Sequence, residues 1–501
     1  MDRNTIIGFL LIFGLLIAWQ QFMKPSEQQL AAEQQLQDSL RQEQLKTDSL
    51  AALQAITQPA NDVPADSTQA AVKDSLMQTQ LAGTFGPFAT AAAGKEQTVT
   101  LENDLLRLAV STKGGRIVEA EVKNYKKVVE DEKHQETKEP LLLLEDEKNR
   151  FEYLLPVSGV PNGTVSTEDL YFEVERLDNG LLLKAEVEPG RYFAQRYSLE
   201  DGSYNVDYSI QFKGLEPYLS RDAGSIELNW VNYLDKLEKN VDYERNYSTV
   251  YYKPSDDSPD HCSCTSNDTE EIDDVPIKWI SNTNQFFNTS IIAESSFKSA
   301  VLIAELVDED SPDLKKLHSR VKIPYGEQES FDMDFYIGPN EFKLLQAYDL
   351  ELQNVIPFGS SIFGTVNRWV IRPVFSFLST WIGSAGIVIL VLTFLVKLAL
   401  YPFTYRMLYS QSKMGALKPH LEAMKAKFKD DPQRQQTETM KVYQEFGVNP
   451  LGGCLPVVLQ MPIWFALYRF FPASIEFRQK SFLWATDLSS YDVAFILPFE
   501  I

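Results

Sequence analysis

GSAGIVILVLTFLVKLALYPFTYRMLY, Gly383 to Tyr409, decides how this chain is organised. About 20 apolar residues cross the hydrocarbon core of a bilayer as a helix, and between Ile387 and Pro402 the polar-capable side chains are Thr393, Lys397 and Tyr401. They stand at i, i+4 and i+8, so a helix gathers them on one stripe. An ammonium at bilayer depth costs at least about 2.5 kcal/mol and by default faces protein or a water-filled cavity, so the stripe is expected to line something wet. The competing reading places Lys397 near the cytoplasmic end, snorkelling its amine to the headgroups. Its position well inside the span argues against that.

Downstream, Phe403 to Phe446 carries eight Lys and Arg against five Asp and Glu, and the positive-inside rule puts this segment in the cytoplasm. Met407, Met414, Leu417, Leu421, Met424 and Phe428 recur at helical spacing. The pattern breaks at Lys429-Asp-Asp-Pro432 and resumes with Met440, Tyr443 and Phe446. Residues 405–447 therefore read as a mobile cytoplasmic hairpin of two antiparallel helices. Residues 448–472 return to the membrane, bent by Pro456 and Pro462, and Gln460, Trp464 and Tyr468 repeat the i, i+4, i+8 stripe. Two such stripes on neighbouring helices can face one groove, or Gln460 and Tyr468 can simply hydrogen-bond between helices. Residues 473–501 read as an outer loop containing Arg478 and Trp484, with the possible start of a further span.

Upstream, residues 357–382 form an amphipathic piece. Trp369, Val370, Phe377 and Trp381 fall on an apolar side, and Asn367, Arg368 and Arg372 on another. Trp with Arg suits the headgroup boundary, which predicts an interfacial helix leading into the span at 383–404; a packing helix of the soluble region is the alternative. Residues 95–348 alternate with period two, as in Tyr204 to Phe212 and Phe331 to Ile337, and predict one large antiparallel β-sandwich outside the cytoplasmic membrane. Residues 26–94, rich in Gln, Ala, Ser, Asp and Thr, read as a polar flexible linker. Its Asp-Ser-Leu and Asp-Ser-Thr triplets at Ser39, Ser49, Ser67 and Ser75 are similar to O-glycan acceptor sites of some Bacteroidetes, with chance recurrence as the simpler reading. Residues 1–25 read as an uncleaved transmembrane anchor with a cytoplasmic N-terminus. The fold class is thus a multi-domain membrane protein, an all-β periplasmic sandwich plus an α-helical transmembrane bundle with a cytoplasmic helical hairpin.

A net charge of -23 argues against nucleic-acid binding. Three cysteines make no disulfide framework; His261-Cys-Ser-Cys264 supplies too few ligands for a convincing metal site and reads as an exposed loop. Leu451-Gly-Gly-Cys454 has the look of a lipoprotein box but lies deep in the chain. A mutarotase-like enzyme would need His beside a carboxylate. Three of the four His (His134, His261, His318) fall in the β region, all in charged, loop-like surroundings. No Gly-rich phosphate loop with Lys and Ser or Thr appears, and no cofactor is implied.

Tyr401-Pro402, the basic hairpin, Gly447-Val-Asn-Pro-Leu-Gly-Gly-Cys-Leu-Pro456, Gln460-Met-Pro462, Ala466-Leu-Tyr468 and Asp487-Leu-Ser489 resemble the YidC family of bacterial membrane protein insertases. The match is close from Gly383 to about Pro498. The anchor and β region match the Gram-negative version in layout. The resemblance implies a supersandwich-like periplasmic domain, an inner-membrane location and a helical bundle enclosing a hydrophilic groove. It also implies nascent membrane proteins as clients, the Sec translocon as partner, and a ribosome or targeting receptor at the hairpin. The groove's basic residue is commonly Arg in that family, and the matching position here is Lys397. A compact ammonium loses its proton more readily than a guanidinium when buried, so a groove relying on Lys397 must stay hydrated. A periplasmic sugar-binding sensor and a secondary transporter remain as other readings.

Overall fold

The computed structural model describes residues 78–130, 136–220, 224–326, 329–359, 361–428, 431–447 and 455–491. The expected anchor, most of the linker and its Ser triplets, the Cys454 segment and the possible further span lie outside them.

The alternation read from the sequence becomes three antiparallel sheets. A four-stranded meander runs β1 (Thr98–Glu102), β2 (Leu106–Ser111), β3 (Ile117–Glu130), β4 (Glu136–Leu143). A six-stranded sheet is ordered β14 (Asp268–Ile272), β17 (Ser299–Leu306), β18 (Asp313–Pro324), β11 (Ser225–Asp235), β5 (Arg150–Pro156), β6 (Thr164–Ser166). The nine-stranded sheet is ordered β13 (Asp260–His261), β12 (Thr249–Pro254), β15 (Ile277–Thr283), β16 (Phe287–Phe297), β19 (Ser330–Pro339), β10 (Asn205–Lys213), β9 (Arg191–Leu199), β8 (Gly180–Glu188), β7 (Glu173–Leu177).

Register carries the apolar pattern inward. Tyr208 lies opposite Met333 and Ile210 opposite Phe331 in the β10–β19 ladder. The buried sets Val206, Tyr208, Ile210, Phe212 and Phe331, Met333, Phe335, Ile337 therefore share one face. That face meets the six-stranded sheet through Phe151, whose ring lies 5.7–6.0 Å from those of Tyr153, Tyr208, Trp230 and Phe335. Edge-to-face aromatic packing of this kind joins the two layers of a sandwich.

A buried polar chain crosses the same core. The Tyr153 and Tyr208 hydroxyls meet at 2.7 Å, and Tyr208 donates to Gln195 Oε1 at 2.8 Å. Gln195 Nε2 and the Tyr197 hydroxyl donate to the Gly114 and Gly115 carbonyls, each at 2.8 Å. The turn between β2 and β3 must bring its backbone this close, which is why glycine stands there. Gly115 has φ +68°, and a Cβ on it would lie 2.4 Å from Gln195 Nε2.

Two expectations about this region are corrected. His318 stands in β18 and not in a loop: its Nε2 meets Asn229 Oδ1 at 2.7 Å, while Asn229 Nδ2 donates to Glu152 Oε1. Burial pushes its imidazole down to about 4, so it is neutral at pH 7. The His261 to Cys264 stretch is only partly an exposed loop, because the free Cys262 thiol is fully buried.

The outer face of the nine-stranded sheet is covered by the segment that succeeds it in the chain. Tyr251, Trp279, Ile292 and Tyr336 pack in one apolar cluster with Leu345 of helix α2 (Phe342–Gln346) and with Leu352, Val355, Ile356 and Phe358. A short helix, α1 (Val241–Arg245), precedes β12. Helices α3 (Ser361–Val366) and α4 (Arg372–Trp381) are joined by a π turn at Asn367–Ile371, and α5 (Ala385–Lys427), α6 (Pro432–Glu445) and α7 (Leu455–Ala473) come after them. The same cluster takes in Ile371, Phe375, Val388, Leu392, Phe470 and Phe477. The β domain and the helices thus share one core.

Helix α5 continues through Pro402 and Pro419 without a break between the expected span and hairpin. The Asp431 side chain caps α6 by accepting from Arg434 N at 3.0 Å, with Pro432 in the first turn. Among the described residues, one helix, α5, is long and apolar enough to cross a membrane.

Candidate functional site

The helical period places Thr393, Lys397 and Tyr401 on one stripe of α5, and all three are exposed. At 1.5 Å per residue Lys397 lies about 18 Å from the start of the helix, a length comparable to half of a hydrocarbon core about 30 Å thick. Among the described residues its ammonium has no ion-pair partner. The stripe continues as a stack of rings. Tyr401 and Tyr405 have centroids 6.3 Å apart, Tyr405 and Tyr409 lie 6.5 Å apart with planes 7° from parallel, and Lys413 Nζ sits 4.7 Å over Tyr409.

On α7, Gln460, Trp464 and Tyr468 line a cleft of about 540 Å³ together with Met461 and Phe465. Trp464 is 69% exposed and Tyr468 64%. The residue that joins the two stripes is Thr404, which sequence reasoning did not single out. It falls two helical turns after Lys397, on the same face, and its Oγ1 accepts from Gln460 Nε2 at 3.2 Å. The signal was present, since Thr404 extends the 393, 397, 401 stripe by three residues. Its partner across the gap was not readable. The α7 cleft is lined by α7 residues alone, and the Thr404–Gln460 bond links the two stripes below Lys397.

The amphipathic helix divides its residues differently from the sequence reading. Trp369, Phe377 and Trp381 are exposed. Arg368 is half-buried. Arg372 turns inward and is 6% exposed, pairing with Glu476 of the outer loop and stacking 4.7 Å over Phe342. Asn367, also expected on a polar surface, is buried at the π turn and donates to the Phe358 and Ala466 carbonyls at 2.8 and 2.7 Å. It ties α7 to the end of the β domain.

The loop after α7 is the second place where sequence reasoning missed an arrangement. Arg478 is almost wholly buried. Its Nε donates to Glu238 Oε1 at 2.7 Å, an Nη donates to the Lys126 carbonyl at 2.9 Å, and its guanidinium lies 5.0 Å over the Phe287 ring. Gln479 Nε2 donates to the same carbonyl at 2.6 Å, and Asp487 Oδ1 accepts from Gln479 N and Ser489 N to fold the loop. Arg469 at the end of α7 donates to the Tyr247 hydroxyl at 2.9 Å, and Gln285 Nε2 to the Pro472 carbonyl at 2.8 Å. The β domain is thus latched to the end of α7 and to the loop that follows it by several independent contacts.

The family model described as YidC periplasmic domain matches residues 98–376, and the one described as 60Kd inner membrane protein matches residues 377–500. A membrane protein insertase YidC of Parabacteroides distasonis is 35% identical over 99% of this chain and 78% of its own length. The chain belongs to the YidC family of membrane protein insertases. A second YidC, from Phocaeicola vulgatus, is 34% identical over 98% of this chain and 77% of its own length. A galactose mutarotase-like protein from Lactobacillus casei aligns with 48% of this chain at 9% identity and a TM-score of 0.29, a likeness too distant to bear on function. The junction of the two YidC family segments, after residue 376, falls within α4, on the helix that here joins sheet to span.

Proposed function

We propose that this chain carries out its family's activity, membrane protein insertion, through a hydrophilic groove formed between the Lys397 stripe of α5 and the Gln460 stripe of α7. The observation that carries the reading is the Thr404–Gln460 bond, which links the face of α5 that bears Lys397 to the Gln460 stripe of α7, beside an open cleft of about 540 Å³ on α7. Lys397 supplies the positive charge. With no counter-ion among the described residues, it is free to attract a carboxylate or polar backbone of an arriving chain. Thr393 and Tyr401 offer hydroxyl partners beside it, while Trp464 and Tyr468 offer an apolar wall with polar tips. The polar part of a client then crosses at reduced desolvation cost, and burial of its apolar segment in lipid drives the step. Nothing in this scheme breaks a covalent bond, so the protein acts as an insertase and chaperone and not as an enzyme.

In this scheme the chain is a multi-pass protein of the bacterial inner membrane. Its β-sandwich lies in the periplasm, Trp369, Arg368 and Arg372 belong to a helix along the outer interface, and the α5–α6 hairpin lies in the cytoplasm. Eight basic side chains on and around that hairpin suit contact with a ribosome or targeting receptor, and cooperation with the Sec translocon extends the same route. The family's activity displaces the sugar-sensor and transporter readings.

The test is photo-crosslinking from Thr393, Lys397 and Trp464 to a short nascent membrane protein, with complementation by Lys397 variants. All three positions are expected to capture the client, Lys397→Arg to be tolerated and Lys397→Leu to impair insertion. Normal complementation by the Leu variant, with no crosslinks from Lys397, would refute the groove.

A further inference from the structure

A cavity of about 430 Å³ opens at the junction of α4, the first turn of α5 and the outer loop. It is separate from the groove and faces the other end of the span. Its charged lining comes from three parts of the chain: Glu341 and Lys343 at the start of α2, Arg372 at the head of α4, and Glu476 and Lys480 in the outer loop. Arg372 and Glu476 satisfy each other. Lys343 and Lys480 are exposed and have no ion-pair partner among the described residues, so two ammonium groups remain for a ligand, with the Glu341 carboxyl beside them. Ser376, Ser379 and Thr380 add hydroxyls along the α4 wall.

The volume lies in the range of small-ligand sites. The depth is informative as well. The cavity floor includes Gly383, Ala385 and Val388, where the apolar helix begins, and the same α4 carries the exposed Phe377 and Trp381 rings that mark a membrane interface. A site with spare ammonium groups, a nearby carboxyl and hydroxyls, set at the level where a span leaves the bilayer, matches a group carrying a phosphate diester and an amine.

We propose that this cavity binds the headgroup of a zwitterionic glycerophospholipid, its phosphate held by Lys343 and Lys480 and its ammonium directed at Glu341. The shared chemistry is a phosphate group, and the position at the interface makes a membrane lipid the source over soluble phosphate. A lipid held there is wedged between the β domain, the interfacial helix and the outer loop, and so fastens the periplasmic domain to the membrane surface.

The experiment uses the full chain purified in detergent. Native mass spectrometry tracks retention of palmitoyl-oleoyl phosphatidylethanolamine on titration, and calorimetry tracks inorganic phosphate. Wild type is expected to retain one lipid. The double variant K343Q/K480Q, which loses the charge-assisted contacts, and the cavity-filling variant S379W, which loses the space, should each bind it at least about tenfold more weakly. K397L should bind as wild type does, which separates this site from the groove. S379W removes space without removing charge, and an unchanged unfolding midpoint shows that each variant is folded. Tight, variant-sensitive binding of inorganic phosphate without lipid retention would overturn the lipid assignment. Equal lipid retention by wild type and both variants would overturn the site altogether.

Discussion

Replacing Arg478 by Met should loosen the attachment of the β domain to the helices, and the surroundings of the guanidinium set the size of the effect. The Arg478 side chain is 2% exposed and its partner Glu238 11%. Removing one member of a buried pair costs about 3–5 kcal/mol, because the remaining charge stays desolvated. Loss of the stacking on Phe287 adds up to about 2 kcal/mol, whereas the Lys126 carbonyl keeps its bond from Gln479. Burial already raises the Glu238 carboxyl to about 7 against the opposing pull of Arg478, and without Arg478 it rises further. A carboxyl whose folded value lies above its unfolded one binds more protons when folded, so the variant gains stability as pH falls. The deficit should therefore be about 3–7 kcal/mol at pH 8 and shrink markedly by pH 5. Adding Glu238→Gln should recover part of it at pH 8. Urea unfolding of the full chain in detergent, monitored by fluorescence of the buried Trp230 and Trp279, measures this. A deficit under about 0.5 kcal/mol at both pH values would show that the latch contributes nothing.

Phe470→Ala should cost about 3–5 kcal/mol in the same assay, because its ring contacts Phe358, Phe375 and Phe477 at 5.3–6.2 Å in the core shared by sheet and helices. His318 is held well below its usual value, so the folded protein binds fewer protons between pH 4 and 6.5. Acidification through that window should cost up to about 3 kcal/mol, and His318→Gln should remove that part of the pH dependence. Gly115→Ala should destabilise the β domain by about 1–3 kcal/mol, as it meets both positive φ and the Gln195 amide, and a midpoint equal to wild type would count against the buried chain.

The apolar helix, the period-two strands of the β region and the breaks at Asp431-Pro432 were legible because each is a local pattern: a run, an alternation or a cap. The stripes on α5 and α7 were legible for the same reason, since i, i+4, i+8 spacing fixes a face whatever surrounds it. Thr404 was missed as the joining residue because its importance comes from Gln460, 56 residues away. The Arg372 and His318 environments were misjudged because a charged or polar side chain in a polar-looking segment gives no local sign of the partner that buries it.

The chain's residues, taken in order, thus specify the set of elements, their topology signals, the family motifs and the lone ammonium within the apolar span. Packing in three dimensions specifies the rest: a core shared by the β domain and the helices, the latches at Arg478, Arg469 and Arg372, and a charged cavity where the span begins. The physical reason is range. Helix and strand periodicity are set by neighbours a few residues apart, whereas burial of a charge is decided by groups hundreds of residues distant that only folding brings within hydrogen-bond reach.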